Sequence, residues 1–285
     1  MKKVIPILAA LLFIFSFAQD AQAQTQNVLD GAYVKEHNAT KRVIPYPHLR
    51  EADVMYAKRV WQRIDLRQKM NHPFYYPIDE IEDRKSLFDV IKHALLVEGS
   101  LTAYSLGELG DDDEFHWPMG PTDIDSLLRP VIIQYTEDPD TGDRIAVEVQ
   151  DEVRSEDVTM YEIKEDWIFD KQRSQRYVRI IGVCPMVEDY DDDGEKRGYK
   201  RLFWLYYPEC RYVFNNADVY NWQDDSQRRT FEQLFEMRMF SSYVVKETNV
   251  YDRPISAYAK NIDALLESER IKTELFEIEH DLWHY

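Results

Sequence analysis

Apolar residues early in the chain recur at helical spacing. Val54, Ala57, Trp61 and Ile64 fall three and four apart between Glu51 and Met70, which predicts an amphipathic helix. Arg59, Arg63 and Arg67 stand four apart on its opposite side and form an arginine face. Pro73 and Pro77 end this element, with Phe74, Tyr75 and Tyr76 extended between them, because proline lacks an amide hydrogen and disfavours the helical region for the residue before it. A second helix is predicted from about Ser86 to Val97: Leu87, Val90, Ile91, Ala94 and Leu95 share one stripe, and Gly99 stops the pattern.

The period then shifts from helical to alternating. Val131 to Glu137 and Arg144 to Gln150 flank the turn Asp138 to Asp143, whose Pro139 and Gly142 suit a hairpin. Two more strand-like runs, Tyr177 to Val187 and Lys200 to Phe214, surround the polar turn Asp191 to Gly198. Residues 131–214 are therefore expected to form a mainly antiparallel sheet. Helical spacing returns at Phe231, Leu234, Phe235 and Arg238, and Ile262, Leu265 and Leu266 open a last helix reaching about Leu282. The expected fold class is α+β, with N-terminal and C-terminal helices packed around a central sheet. A faint echo links Glu51 to Arg59 with Glu165 to Gln172, each followed by a Tyr-Tyr-Pro, at 75–77 and 206–208; an old duplication and chance both account for it.

Lys2 and Lys3 precede an apolar run from Val4 to Phe17 and then Ala21-Gln22-Ala23, the pattern of a signal peptide cleaved after Ala23. Gln24, and not a cysteine, follows the cut, so no lipid is attached there. Residues 24–40 read as a flexible lead-in and 41–285 as a single α+β domain in an exported protein. Export would place Cys184 and Cys210 where a disulfide can persist. A bridge between them and a pair of buried free thiols are both open readings.

Thirty-five basic residues oppose 53 acidic ones, a net charge of −18, which argues against nucleic-acid or anionic-membrane binding. Residues 41–69 invert this balance, with eight basic and three acidic side chains. Such a patch can steer a partner's acidic face, or it can pair with the chain's own acids.

Candidate chemistry is thin. Asp189 to Glu195 supplies the acidic positions and the glycine of a calcium loop, yet Lys200 occupies the position that needs a bidentate glutamate. The run Asp111 to Glu114 reads as a solvated acidic loop. His280 and His284 stand four apart near Glu277, a zinc spacing at a terminus that frays. Ser105 lies in a degenerate nucleophile-elbow pattern without the helix that must follow it. No catalytic, cofactor or metal site is assigned. A hydrolase using paired carboxylates and a calcium-dependent binding module are the rival readings.

Several segments resemble the GldN/PorN family. They include Arg50-Glu51-Ala52-Asp53-Val54-Met55, Ile64-Asp65-Leu66-Arg67, Phe74-Tyr75-Tyr76-Pro77, Lys164-Glu165-Asp166-Trp167, Val178-Arg179-Ile180-Ile181-Gly182 and Asn249-Val250-Tyr251-Asp252-Arg253-Pro254-Ile255. The resemblance implies a non-enzymatic periplasmic component of the type IX secretion and gliding machinery. It implies a ring with an outer-membrane lipoprotein, GldK/PorK, on the inner face of the outer membrane, and contact with the motor protein GldM/PorM. A ring subunit needs two different faces, and the Arg59, Arg63, Arg67 stripe is the expected candidate for one of them.

Overall fold

The computed structural model describes residues 42–81, 84–108, 110–137, 144–191, 194–221, 224 and 226–283, all of them in one compact unit, Thr40–Tyr285. The expected leader and lead-in fall outside these residues. The strands are β1 (Val54–Asp65), β2 (Ala103–Tyr104), β3 (Val131–Glu137), β4 (Arg144–Gln150), β5 (Val158–Asp170), β6 (Gln175–Tyr190), β7 (Lys196–Arg201), β8 (Trp204–Tyr206), β9 (Asp218–Val219), β10 (Arg229–Thr230) and β11 (Tyr243–Glu247). The α-helices among the described residues are α1 (His72–Tyr75), α2 (Leu87–His93), α3 (Pro121–Leu128), α4 (Tyr207–Asn216), α5 (Phe231–Glu236) and α6 (Ile262–Trp283). The protein is a mixed α+β fold built on an antiparallel sheet in the order β11-β1-β5-β6-β8-β2, with β7 also paired to β6.

The segment read as the first helix is strand β1, which pairs with β5 from Val54 to Asp65. A spacing of four residues satisfies a strand's period of two as well as a helix turn, so the arginine pattern fits either. Apolar alternation is lost because β1 is covered on both faces: Val60, Trp61 and Gln62 are buried in succession. The two expected runs pair as β3–β4, Val131 opposite Gln150 and Glu137 opposite Arg144, but as a separate two-stranded sheet, and the expected turn Asp138 to Asp143 lies outside the described residues. The run Lys200 to Phe214 is not one strand: it leaves β7, forms β8, and turns helical at Tyr207-Pro208, where proline suits a helix start. Tyr75 closes α1 while Tyr207 opens α4, so the two Tyr-Tyr-Pro segments of the sequence echo sit in different structural settings.

Expectations at the second helix hold closely. Ser86 caps α2 by accepting from the Asp89 amide, a π-helical turn over Ala94–Glu98 extends it, and Gly99 ends it in the left-handed region at φ 61°. At α5, Thr230 and Gln233 form a reciprocal capping box.

Strand register assigns the packing to faces. One face of the sheet presents Ile64, Tyr161, Ile163, Ile180, Val183 and Leu205 to the main core, which α1 to α5 complete. Aromatic rings bind these helices together, with Phe235 5.0 Å from Phe74 and 5.8 Å from Phe214. Helix α6 covers the β11 end of the same face through Ile271 and Leu275 against Val60 and Val244. The helices thus lie on one side and do not surround the sheet. A loop segment, described over residues 105–108 and 110–117, covers the other side.

Candidate functional site

The second face of the sheet carries charge in ordered rows. Arg59 donates to both Asp166 oxygens at 2.6 and 3.0 Å. Arg63 donates to Glu162 at 2.8 Å, and Arg201 grips the other oxygen of the same carboxylate at 2.7 Å. Glu162 is fully buried, so two guanidiniums are what make its ionised form tolerable there. Arg67 pairs with Glu188, which also accepts from Lys196. The three arginines expected to form an interaction face are therefore each neutralised within the chain, and they stand on a strand and its end, not on a helix.

Segment 105–117 straps across these rows. Two tight bends at Gly107 and Gly110, with φ of 70° and 74°, shape it, and the Leu106 carbonyl accepts from the Asp112 amide at 2.9 Å. Asp113 is its anchor. One carboxylate oxygen accepts from Trp61 Nε1 at 2.6 Å, and the Asp113 carbonyl accepts from Lys164 Nζ at 2.6 Å. Lys164 is almost completely buried between the rings of Trp61 and Phe115. Burial pushes its pKa down, and Asp113 partly offsets that. Phe115, at φ 61°, is a bulky residue in the left-handed region, a conformation that persists only where its surroundings hold it. The rings of Tyr104, Trp204 and Tyr206 surround it edge-on, and Gly182 leaves it room: a Cβ there would lie 2.8 Å from Phe115 Cζ and 3.1 Å from Trp204 Cε3.

The acidic run Asp111 to Glu114, read from sequence as solvated, is thus in part a structural clasp. Lys164 and Gly182 were visible only inside the family-like segments, and nothing in their spacing announced the clasp. Beside it opens a cleft of about 400 Å³ at the β11 edge, bordered by Trp61, Arg63, Arg201, Lys246, Ile255 and Leu265. Its carboxylates each meet a donor: Asp111 faces Arg201, Asp113 holds Trp61 and Lys164, and Asp252 pairs with Lys246 at 2.8 Å.

The other expectations are placed as follows. Cys184 and Cys210 are both free and buried, on β6 and α4 and in different clusters, so the disulfide is not formed. Burial pushes both thiols' pKa up. Asp189 and Tyr190 end β6, and Asp191 and Glu195 close a turn into β7; Asp192 and Asp193 fall outside the described residues. His280 is on α6, and His284 is outside the described residues. Ser105 follows β2 in a loop, where its hydroxyl accepts from the Gly107 amide, with no helix until Pro121. Among the described residues no cluster of metal-ligating side chains occurs, and no helix is long and apolar enough to cross a membrane.

Fold and site together define an antiparallel-sheet α+β protein, with its helices on one face and a clasped, charged face on the other. A family described as gliding motility associated protein GldN matches residues 49–284. The chain belongs to the GldN family. No curated protein matches it.

Proposed function

We propose that the chain is a non-enzymatic structural subunit of the type IX secretion and gliding apparatus. Exported to the periplasm, it assembles on the inner face of the outer membrane into a ring with a GldK/PorK-type lipoprotein, and it contacts a GldM/PorM-type motor protein. The family match across nearly all of the folded unit carries this reading. The surface supports it: Val250, Tyr251, Ile262, Leu265, Leu266 and Phe276, all in the last part of the chain, are among its exposed large apolar groups. Exposed apolar area of this kind is what subunit contacts cover.

Crosslinking with mass spectrometry on isolated envelopes, together with deletion of the gene, tests the proposal. Crosslinks from residues 249–276 to the lipoprotein or the motor protein, with secretion and gliding lost on deletion, are expected. Normal secretion and gliding in the deletion strain would refute it.

A further inference from the structure

The cleft at the β11 edge carries cations fixed on the sheet and anions supplied by loops. Arg63 and Arg201 are only about a quarter exposed and share the single buried carboxylate of Glu162, so among the described residues the second of these two charges is balanced only by Asp111. Lys246, at the other end, lies 4.5 Å over the Trp61 ring. Their remaining partners in the cleft are of a different kind. Asp111 is 87% exposed and only 3.5 Å from Arg201, and Asp252 is 75% exposed on the loop beyond β11. Ion pairs so open to water hold weakly. The strap itself is pinned further along, at Asp113 and Phe115, so Asp111 can swing aside without the clasp opening. Between the cationic ends the walls are apolar, formed by Val245, Ile255 and Leu265.

We propose that this cleft docks an extended acidic segment of a partner polypeptide, and that Asp111 and Asp252 are placeholders for the partner's carboxylates. Cations at both ends of an apolar trough fit an extended chain that sets acidic and aliphatic side chains alternately at every second position, because only residues two apart in a strand point to the same side. A partner carboxylate at Arg201 adds a charge-assisted bond where the chain's own acid makes a marginal one. The inference rests on reading the protein as a docking subunit, and it names the chemistry of one docked partner.

The test uses the mature full-length protein and a fluorescein-labelled Glu–Val decapeptide, Glu and Val alternating at every second position with Ser between them, and its Lys–Val counterpart as control, followed by fluorescence anisotropy. Saturable binding of the Glu–Val peptide that weakens with added salt is expected. Lys246→Ala and Leu265→Asp should weaken it about five-fold or more, by loss of an end charge and of an apolar wall. Asp111→Asn, at an exposed loop position, should tighten it about two- to five-fold by removing the competitor. A purely structural role for Asp111 would not produce tightening. Absence of saturable binding, equal binding of the Lys–Val peptide, or indifference to both Lys246→Ala and Asp111→Asn would overturn the proposal. So would peptide binding that falls as protein concentration rises, which would place a second copy of the chain in the cleft. None of these outcomes bears on whether deletion abolishes secretion and gliding, so the two proposals fail separately.

Discussion

Lys164 Nζ donates to the Asp113 carbonyl at 2.6 Å and lies 3.2 Å from the Asp113 carboxylate, so one buried ammonium holds the strap to the sheet by both charge and hydrogen bond. Lys164→Met keeps the length and apolar stem of the side chain while removing both bonds. Because Asp113 can regain some water, the loss should be about 2 kcal/mol. Urea unfolding measures it, and a change in Trp61 fluorescence should accompany it. An unchanged midpoint would show that the clasp adds nothing to stability.

Gly182→Ala should destabilise by about 1–3 kcal/mol, since the new methyl would lie 2.8 Å from Phe115 Cζ and 3.1 Å from Trp204 Cε3 and a ring would have to shift. Phe115→Leu in the same chain should recover part of the loss, and a double-mutant cycle on melting temperature reads the coupling. Strict additivity would mean that the close approach at Gly182 does not hold the strap.

The arginine stripe should divide by burial. Arg63→Met strands a fully buried Glu162 beside Arg201 alone and should cost about 3 kcal/mol. Arg67→Met, at an exposed pair, should cost under about 1 kcal/mol. Thermal unfolding of the two variants checks this order. Equal small losses, with altered partner binding, would support the stripe as an interaction face.

In the native protein a thiol reagent should label neither cysteine, and two thiols per chain should appear in denaturant without reductant. Burial keeps both in the unreactive protonated form. No labelling after unfolding would reveal a bridge.

The strap should be acid-sensitive. The Glu114 amide, with His116 beside it, holds the Asp112 carboxyl below its ordinary value of 3.8. Below that value the unfolded chain takes up protons before the folded one does. The contribution is therefore complete above about pH 4 and is lost as pH falls through the lowered folded value. Asp112→Asn should flatten this part of the stability curve, followed by urea unfolding between pH 5 and 2.5. An unaltered slope would refute it.

Local chemistry was legible wherever a residue acts on its own neighbours. The start of the second helix near Ser86, its stop at Gly99 and the two runs that become β3 and β4 were all visible in local pattern. Helix α6 was also anticipated, but for the wrong stripe. Ile262, Leu265 and Leu266, which suggested it, are exposed, while Ser268, Ile271 and Leu275 are the residues it buries. Periodicity reports that a helix has an apolar side, and this helix has two.

Strand β1 marks the limit of that reading. Its apolar and basic residues satisfy either period, and the partners that decide between them, β5 on one side and β11 on the other, lie about a hundred and two hundred residues further along. The same holds for Lys164 under Asp113 and for Gly182 beneath Phe115. The linear chain settled the class of fold and the bounds of the second helix, because those follow from local pattern. Which face each charge occupies, and which acid neutralises it, required the sheet to assemble, since burial and pairing are properties of residues that meet only across the folded core.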